Sequence, residues 1–79
     1  MNIKIHIEKL PQSHRLEGGY SDNLLDIFLE ESLDDRSKVE VVIHEIIEAL
    51  FPTIEHEKVD VVTDYIMEGL DQLNIWGDR

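Results

Sequence analysis

Val39-Glu40-Val41-Val42-Ile43-His44-Glu45-Ile46-Ile47-Glu48-Ala49-Leu50 is the stretch on which the fold turns. Val39, Val42, Ile43, Ile46, Ala49 and Leu50 recur at the spacing of one broad helical face, while His44, Glu45 and Glu48 fall on its flank and back. A helix is therefore predicted from about Leu33 to Leu50. Ser32 followed three residues later by Asp35 resembles a capping box with aspartate in place of glutamate, and Asp34-Asp35 suit the positive end of the helix dipole. Phe51-Pro52 stops the helix, because proline cannot donate to the ladder and disfavours helical geometry in the residue before it.

Upstream, Ile3, Ile5 and Ile7 alternate with polar residues, the period-two signature of a strand with one buried face, and Pro11 closes it. Gln12 to Asn23, with Gly18-Gly19, reads as a loop or wide turn. Leu25, Ile27 and Leu29 then share one face of a second strand, with Asp26, Phe28 and Glu30 on the other. Downstream, Thr53 is placed to cap a second helix running to about Leu73. Ile54, Val61, Val62, Tyr65, Ile66 and Leu73 form its apolar stripe, and Gly69 permits close approach. Trp76, in a tail without clear period, is placed to fold back onto the core. The expectation is a single α+β domain over residues 1–79: a small antiparallel β-hairpin packed on two α-helices, in the order ββαα. A lone hairpin is unstable in water, so a helix must cover its apolar face.

With 79 residues and no cysteine, neither a disulfide nor a thiolate metal site can supplement a small core. Support must come from histidine and carboxylate coordination or from association. The balance of 7 basic against 18 acidic residues, a formal net charge of −11, disfavours nucleic-acid phosphates and anionic membranes. It suits a protein or peptide partner of basic character. The N-terminal residues alternate and do not form an apolar run, and no segment reaches membrane-spanning length, so a cytoplasmic location is expected.

On a helix, positions 44 and 48 lie about 40° apart, so one imidazole and one carboxylate can grip the same metal ion, with Glu45 beside them. This is the layout of the zinc-hydrolase helix H-E-x-x-H with glutamate replacing the second histidine. A short turn at Pro52 folds the second helix back on the first and carries His56 toward His44 and Glu48. Two imidazoles and one carboxylate form a ligand set for zinc that leaves a fourth position for water, and Glu45 is the candidate base. The plainer reading of His44 and Glu48 is an ordinary i, i+4 helix pair, worth a few tenths of a kcal/mol. Glu55, Glu57, Asp60, Asp64 and Asp71 read as a solvated helix face. His6 and His14 receive no role.

Gly19-Tyr20-Ser21-Asp22, the strand Asp26-Ile27-Phe28-Leu29, the motif helix with Val42-Ile43-His44-Glu45-Ile46-Ile47-Glu48-Ala49-Leu50, and the later Glu68-Gly69-Leu70-Asp71-Gln72-Leu73 follow one another in an order that resembles the zincin-type metallopeptidase core. More closely, the chain is similar to the small metallopeptidase-like proteins of phages and to the phage-immunity class of bacterial metallopeptidases, over about residues 19 to 73. The resemblance implies His44 as a metal ligand, Glu45 as the base, Glu48 at the place of the second histidine and His56 as a third ligand. The departure at position 48 implies either an altered metal site or a fold kept without its activity. Two functions follow as expectations. One is a zinc-binding, metallopeptidase-like protein. The other is a non-catalytic acidic interaction protein of phage type, engaging a host or phage protein and imitating nucleic acid.

Overall fold

The computed structural model of the chain describes residues 2–10, 16–21 and 24–76. Three strands precede two helices: β1 (Asn2–Glu8), β2 (Leu16–Ser21), β3 (Leu24–Glu30), α1 (Asp35–Leu50) and α2 (His56–Leu73). The α+β class and the order of strands before helices agree with the sequence. No helix among the described residues is long and apolar enough to cross a membrane.

The pairing of the strands does not agree. β3 lies at the centre of the sheet, in the order β1-β3-β2. β1 runs parallel to it, with Ile3 opposite Leu25, Ile5 opposite Ile27 and Ile7 opposite Leu29. The two alternating strands read from the sequence are thus not an antiparallel hairpin. The antiparallel partner of β3 is β2, drawn from the stretch expected to be a loop, with Gly18 opposite Ile27 and Gly19 opposite Asp26. Paired glycines signal a turn in isolation, but a strand that docks on an apolar neighbour is decided by that contact. A parallel β1–β3 pair also needs a long return connection, and β2 lies within it.

Leu25, Ile27 and Leu29 are buried, and Val41, Val42, Ile46 and Ala49 of α1 pack against them. Ile3, Ile5 and Ile7 share this face by register, yet they remain 44%, 45% and 56% exposed. Their expected burial fails because α1 lies over β3 and β2 and leaves the edge strand β1 uncovered. On the reverse face His6 stacks on Phe28 at 4.4 Å, and its Nε2 lies 2.8 Å from Asp26 Oδ1. His6 is therefore part of the sheet's own packing, and His14 lies outside the described residues.

Glu30 ties the end of the sheet to the start of α1. Its two carboxylate oxygens accept the Leu10 and Ser32 backbone N–H groups, each at 2.9 Å. Those two bonds hold its carboxyl below the usual range. Because the Ser32 N–H is engaged there, the expected Ser32–Asp35 box does not form. Asp34 caps α1 instead, its Oδ1 accepting the Ser37 N–H at 2.8 Å.

α1 ends at Phe51-Pro52 as expected. Thr53 is not the next cap, because Phe51 O accepts the Ile54 N–H in a turn and Glu55 takes the N-cap position without a side-chain bond. α2 buries Val59, Thr63 and Met67, a four-residue repeat, and not the expected stripe: Val61, Val62, Tyr65, Ile66 and Leu73 are exposed. His56, Asp60 and Asp71 lie on the same arc as the buried repeat and pair with α1, which turns this arc inward. Nothing lies within 4 Å of a Cβ built at Gly69, so that glycine serves no close approach. Trp76 folds back only as far as the exposed Asp71 of α2, donating to its Oδ1 at 2.6 Å after Asn74 turns the chain at φ 56°.

Truncating Ile27, fully buried at the sheet centre, is expected to cost about 3 kcal/mol in denaturant unfolding of Ile27→Ala. The buried Thr63 Oγ1 has no hydrogen-bond partner among the described residues, so Thr63→Val is expected to stabilise by about 1 kcal/mol. Glu30 makes a further, pH-dependent prediction. Its carboxyl pKa is depressed on folding, so its contribution is complete above the unfolded value near 4.5 and is lost as pH falls through the folded value. Glu30→Gln should melt below the parent at pH 7, and the gap should close in melts taken at successively lower pH under 4.5.

Candidate metal centre

The helical hairpin sets the register of the site. Arg36 near the start of α1 pairs with Asp71 near the end of α2, through Nε and Nη2 at 2.9 Å each. At the other end Glu48 meets His56 across the turn. Two i, i+4 pairs, His44 with Glu48 and His56 with Asp60, are thereby brought face to face.

His44 Nε2 lies 3.3 Å and His56 Nδ1 2.9 Å from the same oxygen, Glu48 Oε2. The two rings meet edge-on with centroids 5.0 Å apart. One ligand atom from each of His44, Glu48 and His56 falls within 4.8 Å of the others, which makes the three a group able to hold a metal ion. A tetrahedral ion with bonds of about 2.0–2.1 Å separates its ligand atoms by about 3.3 Å, so the observed spacings need only small side-chain movements to receive one. The three ligand candidates read from the sequence therefore converge.

Asp60 is the residue that sequence reasoning missed. Its Oδ1 lies 3.4 Å from His44 Nδ1 and its Oδ2 3.8 Å from His56 Nε2, so it faces the ring nitrogens turned away from Glu48. A carboxylate that accepts the N–H of a ligating imidazole fixes which nitrogen faces the metal, and Asp60 would have to move closer to either ring to do so. The available signal was the repeated spacing itself: His56-x-x-x-Asp60 copies His44-x-x-x-Glu48.

Glu45, the predicted base, lines the same open cleft of about 610 Å³ as His44, Glu48, His56 and Asp60, with Leu33 and Val41 adding apolar surface. Burial raises its pKa above the usual carboxyl value. The neighbouring Glu48 charge acts in the same direction, and His44 and His56 oppose it. All five carboxylates expected on a solvated face, Glu55, Glu57, Asp60, Asp64 and Asp71, are exposed, and two of them, Asp60 and Asp71, also pair with side chains of α1. Comparison of the chain with protein-family models, curated proteins and solved structures finds no match, so the functional reading rests on this geometry.

Proposed function

We propose that the chain is a zinc-binding, zincin-like protein whose cleft promotes hydrolysis of a peptide or related carbonyl substrate. The observation that carries this reading is the meeting of His44, Glu48 and His56 around one point, with Glu45 in the same cleft. Two imidazoles and one carboxylate are the ligand set of several catalytic zinc centres, and three protein ligands leave one position open. In this chain the second residue of the helix pair is the carboxylate, and the second imidazole comes from the following helix. The type of ligand set is kept while its order along the chain changes.

Zinc bound there supplies Lewis acidity that makes water nucleophilic near neutral pH. The chain's own residues do the rest. Glu45 accepts the proton of the attacking water, a task favoured by a carboxyl whose pKa burial raises above its usual value. Drawn closer to the rings, Asp60 holds His44 and His56 in the orientation that presents His44 Nε2 and His56 Nδ1 to Glu48 Oε2. The open cleft admits an extended segment of substrate, and the acidic balance of the chain favours a basic one. The alternative of a purely non-catalytic acidic decoy gives no reason for two His–carboxylate pairs to meet in one cleft.

Elemental analysis of tag-free protein, with melting followed in zinc and in chelator, tests the metal reading. Zinc at about 100 times its Kd should stabilise by about 2.7 kcal/mol, which in a domain of this size raises Tm by about 10 °C or more. His44→Ala, Glu48→Ala and His56→Ala should each abolish the rise. Asp60→Asn should bind zinc about 10–100 times more weakly. Absence of stoichiometric zinc, with superimposable melts in zinc and chelator, would overturn the reading. Glu45→Gln should keep the zinc and lose about 10²–10⁴-fold in hydrolysis of a basic peptide library.

A further inference from the structure

β1 is an edge strand: β3 pairs one side of it, and no described strand pairs the other. Its seven residues contain no proline, one of the devices by which edge strands are kept from pairing. Ile3, Ile5 and Ile7 form a half-exposed row that continues the buried Leu25, Ile27 and Leu29 row of β3. The other edge, β2, carries Gly18-Gly19 in its middle and is the poorer template.

Charge and the small core point to the same occupant. Within β1 Lys4 balances Glu8, so the strand is neutral in a chain of net charge −11. Two copies of so acidic a protein therefore approach with least repulsion along this strand. Only five apolar side chains are buried among the described residues, a small core for a chain that is 42% hydrophobic.

We propose that a second copy of this chain pairs with β1 through the β1 of that copy, antiparallel and around a two-fold axis at His6, joining two three-stranded sheets into one of six strands. The strand is self-complementary in this register. Lys4 and Glu8, opposite in sign and exposed on the face away from the isoleucines, each meet the other across the axis, Lys4 facing the partner's Glu8 and Glu8 facing the partner's Lys4. Ile5 faces the partner's Ile7, so the isoleucine rows merge on the helix side. A slip of one residue sets isoleucines against polar side chains and is excluded by the alternation. The symmetry is isologous and closes at the dimer.

Sedimentation equilibrium over about 1–500 μM decides the matter. The full chain should give twice the 9.2 kDa of one copy. Lys4→Glu sets like charges opposite one another twice per dimer and should raise the dimer Kd about tenfold, while adding Glu8→Lys to it should restore the parent value. Neither site touches the buried core, so circular dichroism should show both variants folded. Ile5→Lys should give monomer throughout. A parent chain that stays monomeric over the whole range overturns the proposal. So does a dimer whose Kd is indifferent to Lys4→Glu or is not recovered by the charge exchange.

Discussion

The contact of Val41, Val42, Ile46 and Ala49 with the Leu25, Ile27 and Leu29 row governs the rest of the molecule. It fixes the rotation of α1 about its axis, and with that the direction in which every other residue of the helix points. On a helix so oriented, Arg36, Glu40, His44 and Glu48 descend the opposite side, one turn apart. α2 must then present to that side a face able to satisfy charges. It does so with His56, Asp60 and Asp71, burying Val59, Thr63 and Met67 along the same arc. The rotation of α2 thus follows from that of α1, and the more apolar flank of α2 is left in solvent.

Gathering Glu45, Glu48 and Asp60 around two imidazoles works against the general electrostatics of a chain at −11. Like charges at a helix hairpin repel one another and are held together only when something of opposite sign joins them. The pKa of Glu45 is raised first by burial and second by the Glu48 charge, and only the second cause reflects that repulsion. A divalent cation held there would resolve it by placing positive charge where His44, Glu48 and His56 converge. In a chain without cysteine it would also cross-link the two helices in the way a disulfide does. One ion would therefore serve stability and chemistry together.

The sheet is finished on one side only. α1 spans β3 and β2, and the apolar row of β1 carries on past its edge. A small domain that leaves three isoleucines half exposed in a continuous line gains by covering them, and the strand that bears them is the least acidic of the five elements. The candidate metal site lies between the helices and the isoleucine row lies on the sheet, so the two features are separate.

Period-two and helical alternation marked β1, β3 and α1, and helical spacing alone placed His44 beside Glu48, because these are consequences of backbone geometry within one segment. The stop at Phe51-Pro52 was legible for the same reason, and it implied the hairpin that brings His56 to the site. What lay beyond the sequence was every choice between segments. β2 was hidden because Gly18-Gly19 carries a turn signal that only docking on β3 overrides. Parallel pairing of β1 with β3 depends on the path between them, and the exposure of Ile3, Ile5 and Ile7 on how far α1 reaches. The inward face of α2 was misread because hydrophobicity favours Val62 and Ile66, whereas pairing with an already oriented α1 favours His56, Asp60 and Met67. Local periodicity determines which residues share a face; only the packed neighbour decides which face is turned inward.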